Sequence, residues 1–479
     1  MQLVLISSRG LWKVLATLLL CLLVGLGAGA VLAFLAPLYT AALAIALVGG
    51  VLMLRDTQWG FIALAGIICL LPFAALPLNI GFEPTFLDLV LLTLFFVWLS
   101  RMATRRQGSF IASPLAIPIL TFLVVLVASF IAGLAHASVT ATLLRHFAEL
   151  TMGISTFFIV INCIRSREQL RRVVTALILA GAAAALIGVI LYFLPENLMV
   201  RLLSTLRVVR YPAGSSVLRY IEDNPELPLR AISTSQDPNV LGGLLVLVTA
   251  LAVPQLLSQQ PVLPKKLLIP MVASMVMCLV LTFSRAAMAG LAVGLIAVSL
   301  LRYRRLGWLL VGGAALALLL PQMQVYIQRF IEGARGQDLA TQMRLGEYRD
   351  AFTLILRHPW LGVGFAGTPE INLYLGVSSV YLLIAEEAGL IGLSIFFVIV
   401  AILFAQMWRA RRYLHNDANL EAIFWGLVAA LLGALVGGTL DHYFFNLDFP
   451  HAIAIFWTYV GLGIVISRLR QKKPQMNTD

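Results

Sequence analysis

Residues 379–406 read SVYLLIAEEAGLIGLSIFFVIVAILFAQ, an apolar run interrupted only by the adjacent carboxylates Glu386 and Glu387. About 20 consecutive apolar residues let a helix cross the hydrocarbon core of a bilayer, and this run is longer than that. Similar runs recur near 13–33, 37–54, 59–78, 85–100, 114–134, 147–164, 173–194, 238–257, 267–283, 286–301, 306–320, 420–439 and 451–467. The 479 residues are 61% hydrophobic and 12% charged, against about 45–50% and about 25% in a soluble globular domain. No single soluble core buries so much apolar surface. The expected fold is an all-α integral membrane protein, a polytopic bundle of about 12–14 transmembrane helices. The first run follows Arg9 and Lys13 like a signal peptide. Its apolar length of about 20 exceeds the roughly 7–15 of a signal's apolar region, so it reads as an uncleaved span. Cys21, Cys69, Cys163 and Cys278 lie in or at the edge of apolar runs, without the spacing of a disulfide framework or a zinc site.

The net charge of +12 suggests nucleic acid until the charges are placed. Most of the basic residues fall on alternate connections: Arg9 and Lys13, Arg55, Arg101 to Arg106, Arg165 to Arg172, Lys265 and Lys266, Arg302 to Arg305, Arg409 to Arg412, and Arg468 to Lys473. Those connections carry few acids, which leaves the rest of the chain net negative. By the positive-inside rule the basic side is cytoplasmic and both termini lie there. The charge is thus a signal of orientation, and no nucleic-acid partner is expected.

Two connections on the opposite face are long, and long connections are usually functional. The sequence divides accordingly into amino-terminal spans (1–195), a first long extracytoplasmic loop (196–237), further spans (238–320), a large extracytoplasmic loop (321–377) and carboxy-terminal spans with a short tail (378–479). The first loop carries Arg201, Arg207, Arg210, Arg219 and Arg230, the second Arg329, Arg335, Arg344, Arg349 and Arg357, and neither has a lysine. A guanidinium is a rigid donor fork suited to phosphate and carboxylate oxygens. The loops also contain acids, so pairing within each loop and anion binding are both open. Within RLGEYRDAFTLILRHP (344–359), Leu345, Tyr348, Phe352, Ile355 and Leu356 recur at helical spacing, and Pro359 and Gly362 stop the pattern. This predicts an amphipathic helix at the membrane interface.

Charges within spans are rare and therefore informative. They concentrate after Arg285, which sits in LTFSRAAMAG in a very short turn, where anchoring and function are both open. Glu386 and Glu387 must pair or face a polar cavity; a salt bridge to Arg285 or Arg344 is the competing reading. The last outer connection, DHYFFNLDFPH, adds Asp441, His442, Asp448 and His451 near the same face. A lone histidine there is more often interfacial than catalytic. There is no Walker loop, no dinucleotide-binding glycine pattern and no HExxH.

Three stretches together resemble the O-antigen ligase and polymerase superfamily, multi-span glycosyltransferases of bacterial envelopes. RAISTSQDPNVLGGLL (230–245) resembles its Arg…Pro-Asn segment leading into a span. LTFSRAAMAGLAVGLI (281–296) is similar to its Thr-x-Ser-Arg segment opening a helix. RLGEYRDAFTLILRHPWLGVGFAG (344–367) followed by YLLIAEEAGLIGL (381–393) looks like its large-loop and loop-exit signature. Order and spacing match from about 230 to 393, while the amino-terminal half resembles the family only as a row of spans.

The resemblance implies a bacterial cytoplasmic (inner) membrane enzyme of polysaccharide biosynthesis. It implies a glycan taken from a polyprenyl-diphosphate carrier and passed to a hydroxyl of an acceptor glycan or lipid-linked glycan, among membrane lipids, with no metal and no other cofactor. A diphosphate leaving group develops negative charge that fixed arginines stabilise; Arg285 and Arg344 match the family's positions, with Arg230 as a third. The acceptor hydroxyl also needs a general base. Ligases of the family carry His-Asn before the Tyr-Leu of the loop exit, and this chain has Ser378 and Ser379 there. The base then falls to Glu386, Glu387, Glu370 or His358, or the chain is a polymerase-type member using other groups. A transporter or flippase of lipid-linked oligosaccharide is the alternative function, and a noncatalytic scaffold of envelope assembly a third.

Overall fold

The computed structural model describes residues 48–76, 82–104, 109–136, 138–319, 331, 335–336, 339–367, 376–415 and 417–469. The chain divides into two compact units, Met1–Trp59 and Gly60–Asp479. Of the first only 48–59 is described, with 48–55 helical. The expected span at 13–33 and most of that at 37–54 lie outside the described residues, as do Arg329 and Glu370.

The described residues form α1 (Gln58–Leu70), α2 (Phe86–Ala103), α3 (Ala116–Gly133), α4 (Ala141–Cys163), α5 (Arg167–Phe193), α6 (Glu196–Ser204), α7 (Pro238–Leu257), α8 (Lys265–Leu281), α9 (Arg285–Leu301), α10 (Arg304–Leu319), α11 (Leu339–Arg357), α12 (Val380–Leu414), α13 (Ala418–Gly437) and α14 (Pro450–Leu469). Their β pairing is limited to isolated bridges, Ala75 with Thr85 and Tyr220 with Leu229. Every expected span from 59–78 onward coincides with a helix. Among the described residues eight helices are long and apolar enough to cross a membrane: α2 to α5, α7, and α12 to α14. The shorter α1, α8, α9 and α10 occupy the remaining expected spans. The protein is an all-α, multi-pass membrane protein.

Helix starts follow local capping chemistry. Thr85 and Asp88 form a capping box at α2, and Ser166 and Gln169 form one at α5. Asp237 Oδ1 accepts the Asn239 and Val240 amides at the start of α7, where Pro238 has no amide to satisfy. Packing in the carboxy-terminal half is closest between α9 and α13. A Cβ at Gly290 would overlap the Gly433 carbonyl oxygen, and one at Gly294 would overlap that of Ala429. Small residues four apart on both helices thus let the backbones meet, the usual solution where lipid removes any hydrophobic drive for helix association.

α12 is not a continuous helix. Its 35 residues are interrupted at Gly389 (φ 71°, ψ −179°), a backbone conformation open essentially only to glycine. The break leaves carbonyls without intrahelical partners, which hydrocarbon does not tolerate unless protein supplies donors. The stretch after α11 supplies them: Val363 N–H donates to Glu386 O (2.8 Å) and Gly364 N–H to Glu387 O (3.1 Å). The Ser129 hydroxyl of α3 also donates to Glu387 O, and Leu390 N–H donates to Pro359 O (2.8 Å). Residues 359–364 therefore form a plug stitched into the broken helix.

The first long connection is folded rather than extended. Met199 and Leu203 of α6, with Val217 and Ile232, pack on Leu191 at the end of α5 as a small apolar core. The second contains the expected amphipathic helix, α11. Both lie at one end of the bundle, the loop end. The opposite, basic end carries Arg101, Arg165 to Arg172, Lys265, Lys266, Arg302 to Arg305, Arg409 to Arg412 and Arg468.

Candidate functional site

At the loop end, Arg230 follows the small cap and is held by the turn between α8 and α9. Its Nε donates to the Thr282 carbonyl (2.8 Å) and its Nη2 to Asn239 Oδ1 (2.6 Å). Burial pushes the Arg230 guanidinium below its usual value; the charges of Asp237 and Asp441 push it back up, and the nearby Arg344 pushes it down. Thr282 closes α8, and Ser284 caps α9 by accepting the Ala287 amide. Arg285, half-buried, is the first residue of α9. Arg230 and Arg285 are therefore organised by one turn, the first gripping a carbonyl three residues before the second.

Arg344 comes to the same end on α11. It acts electrostatically on Arg230, Asp441, Tyr348 and Tyr443. α11 is docked by its next turn: Glu347 Oε2 accepts the Ser378 amide (3.0 Å), and the Tyr348 hydroxyl faces the carbonyls of Ser378 (3.3 Å) and Thr439 (3.4 Å). The amphipathic pattern is thus turned partly inward, onto the entry to α12 and the α13–α14 connection.

That connection supplies the remaining polar groups. Asp441 is buried, and its Oδ1 accepts the His442 amide (2.9 Å). Its Oδ2 has no hydrogen-bond partner among the described residues. Burial raises the Asp441 carboxyl above its ordinary range, with Asp237 adding to the rise and His442 and Arg344 opposing it. The Tyr443 ring is seated over Gly243 of α7, where any Cβ would overlap it. Burial and the charges of Asp441 and Asp237 hold its hydroxyl well above the usual tyrosine value.

His442 is half-buried, and its Nδ1 lies 3.1 Å from the Val377 carbonyl oxygen. A carbonyl only accepts, so Nδ1 carries a proton, and in the neutral ring Nε2 is the atom with a lone pair. Nε2 has no hydrogen-bond partner among the described residues. The imidazole thus sits beside Ser378, in reach of the groups that Arg344 influences.

Of the sequence-based candidates for the base, Glu386 faces the backbone of Gly376 and Val377, beside His442. His358 follows α11, 14 residues beyond Arg344, or about 21 Å along a helix, and its ring stands edge-on to His136 (centroids 5.8 Å apart). Glu386 and Glu387 lie about 10 Å along α12 from Ser379, just before the break at Gly389. They are buried, and Glu387 Oε2 has no hydrogen-bond partner among the described residues. Nor does either glutamate pair with Arg344. His451 packs edge-on against Phe73 (4.8 Å) and is buried, while Asp448 is exposed. Asp441 and His442 are the groups that sequence reasoning passed over. Their stretch stood out as charged, but their relation to Arg344 and Val377 exists only once the last connection folds back.

Intramembrane charge is also not confined to the region after Arg285. Asp88 of α2 and Glu149 of α4 are buried close together, with Arg145 Nε 3.6 Å from Glu149 Oε1.

No curated protein matches the chain. Residues 270–397 match the family model for O-antigen ligase. The matched stretch runs from α8 to beyond the break in α12 and contains Arg285, Arg344 and both buried glutamates. Over this stretch the chain is similar to the O-antigen ligase family, and the multi-pass helical architecture accords with that likeness.

Proposed function

We propose that the protein transfers or polymerises glycans from a polyprenyl-diphosphate carrier onto a sugar hydroxyl at the loop end of the bundle, on the outer face of the cytoplasmic membrane. One observation carries this reading: Arg230 and Arg344 both interact electrostatically with Asp441, at the end where the His442 imidazole is held by the Val377 carbonyl. As the acceptor hydroxyl oxygen bonds to the anomeric carbon, the bond from that carbon to the carrier's diphosphate oxygen breaks. The electron pair leaves with the diphosphate, toward Arg230, Arg344 and Arg285. The hydroxyl proton passes to His442 Nε2. Guanidiniums fixed in advance stabilise the leaving charge without reorganising, and the Val377 carbonyl holds the imidazole in the tautomer that accepts a proton.

In this reading His442 takes the part that the family assigns to the loop-exit histidine. Ser378 stands at that position, and the adjacent carbonyl of Val377 brings the imidazole from another connection to it. The full chain in liposomes, given a polyprenyl-diphosphate-linked oligosaccharide and acceptor, should form product, and Arg344→Ala should lower the rate about 10²–10³-fold, as loss of one transition-state donor does. Wild-type product yield from well-folded Arg344→Ala would sink the reading.

Translocation of the lipid-linked glycan is the second reading, and the buried Asp88 and Glu149, with the partly buried Arg145, favour it, because buried intramembrane charges often mark a transport path. Asp88 is engaged locally, its Oδ2 accepting the Thr85 amide (2.8 Å). Leaflet-resolved labelling of the carrier separates the two: glycan transfer without movement of carrier between leaflets supports the first.

A further inference from the structure

At the basic end, opposite Arg230 and His442, residues 111–114 before α3 and helices α12 and α14 surround a cavity of about 660 Å³. Its polar lining is Gln406, Arg409 and Tyr413 of α12, Ser467 and Arg468 of α14, and Ser113 just before α3; among the described residues no carboxylate lines it. The rest of the wall is aliphatic side chains and a proline. Gln406, Arg409 and Tyr413 are three and four residues apart and so share one helix face, and Ser467 and Arg468 face them from α14.

The charges in this cavity are not matched by acids. Arg468 is fixed by donating to the carbonyls of Ile161 (Nη1, 2.8 Å) and Ile164 (Nη2, 2.8 Å) at the end of α4, so its hydrogen bonds are met while its charge is not. Arg165 lies close enough to repel it electrostatically. Arg409 and Gln406 have no hydrogen-bond or ion-pair partner among the described residues. Just outside, Arg411 lies over the ring of Trp408, which is half exposed. A tryptophan among arginines marks the level where hydrocarbon meets headgroups.

We propose that this cavity binds the headgroup of an anionic phospholipid, with its phosphodiester between Arg409 and Arg468 and its glycerol and first acyl carbons along the aliphatic wall. The mixed wall fits an amphiphile, and basic pockets between transmembrane helices suit anionic headgroups. The volume lies in the roughly 300–1,000 Å³ range of small-molecule sites and exceeds what inorganic phosphate fills. This site is independent of the glycan-transfer reading, sharing no residue with it.

The test uses the full chain in nanodiscs of phosphatidylcholine with graded phosphatidylglycerol, the lipids retained on release being counted by native mass spectrometry. Wild type should retain phosphatidylglycerol in preference to phosphatidylcholine. Arg409→Ala should weaken that retention about tenfold, the scale of one hydrogen bond to a charged group. Arg411→Ala, outside the cavity on the same helix, should retain as wild type does. Arg409 is exposed and unpartnered, so its variant should melt as wild type does; Arg468 is left intact because it caps α4. Equal retention of the two lipids, or wild-type retention by Arg409→Ala, overturns the site. Displacement of the lipid by millimolar inorganic phosphate would make the ligand a free anion and overturn the lipid assignment.

Discussion

The imidazole Nδ1 of His442 lies 3.1 Å from the carbonyl oxygen of Val377, across 65 residues of sequence. This bond joins the last connection of the chain to the entry of α12 and leaves Nε2 as the proton-accepting atom of the ring. A side-chain base contributes about 10²–10⁴-fold to such a reaction, so His442→Ala should lower the transfer rate by that amount. His442→Gln separates positioning from proton transfer, because its amide can still donate to the Val377 carbonyl but is no base. It should be as slow as His442→Ala, with donor-lipid affinity and melting temperature close to wild type. Recovery of activity by the glutamine variant would show a positioning role only.

The two arginines that interact electrostatically with Asp441 should respond differently to substitution. Arg230 donates to the Thr282 carbonyl and to Asn239, so Arg230→Ala removes two structural bonds and should cost about 1–3 kcal/mol of stability as well as activity. Arg344→Ala should affect activity with little change in melting. Arg344→Lys keeps the charge without the two-pronged donor fork and should lie between alanine and wild type. Rates and melting temperatures measured on the same preparations check this. A stability loss for Arg344→Ala as large as for Arg230→Ala would contradict the distinction.

Asp441 should make stability depend on pH. Burial holds its carboxyl above the ordinary aspartate value of 3.8 in the folded protein. Between 3.8 and the raised folded value, the folded state binds more protons than the unfolded state, so stability falls as pH climbs through that window. Asp441→Asn keeps an acceptor for the His442 amide and removes the titration. Melting temperature measured from pH 4 upward should fall less steeply for the variant than for wild type, and parallel curves would count against a raised Asp441.

The spans were legible because burial in lipid is written in run length alone, and from 59 onward every apolar run became a helix. The amphipathic helix around Arg344 was legible for a similar reason, since Leu345, Tyr348 and Phe352 repeat at helical spacing. Its docking was not, because the Glu347–Ser378 bond (3.0 Å) depends on where the chain returns after the large loop. His442 was discounted as an isolated histidine, and only the return of the α13–α14 connection to Val377 gives it neighbours. The buried Asp88 and Glu149 escaped notice because each lies at or near the start of an apolar run, where a charge reads as a boundary. Gly389 looked like one more small residue in a membrane helix, as nothing local distinguishes a packing glycine from one that turns the backbone.

Gly389 is the position where this difference is easiest to measure. With φ 71° and ψ −179°, an L-residue pays about 1–3 kcal/mol in backbone strain. A Cβ there would also overlap the Trp360 carbonyl, and one at Gly362 (φ 69°) would overlap the backbone of Glu386 and Glu387. Neither chain has room to withdraw, because Val363, Gly364 and Leu390 hydrogen bonds lock the plug to the break on both sides. Gly389→Ala should therefore either lower stability by at least about 2 kcal/mol or make α12 continuous and expel residues 359–364. Both outcomes open the plug, so a cysteine at Val363, buried in wild type, should become reactive to a water-soluble maleimide only in the Gly389→Ala background. Gly312→Ala in α10, where an added Cβ meets no atom within 4 Å, serves as the control and should leave that cysteine protected. Protection of Val363→Cys in both backgrounds, with unchanged melting, would mean that the break at Gly389 is not fixed by its glycine.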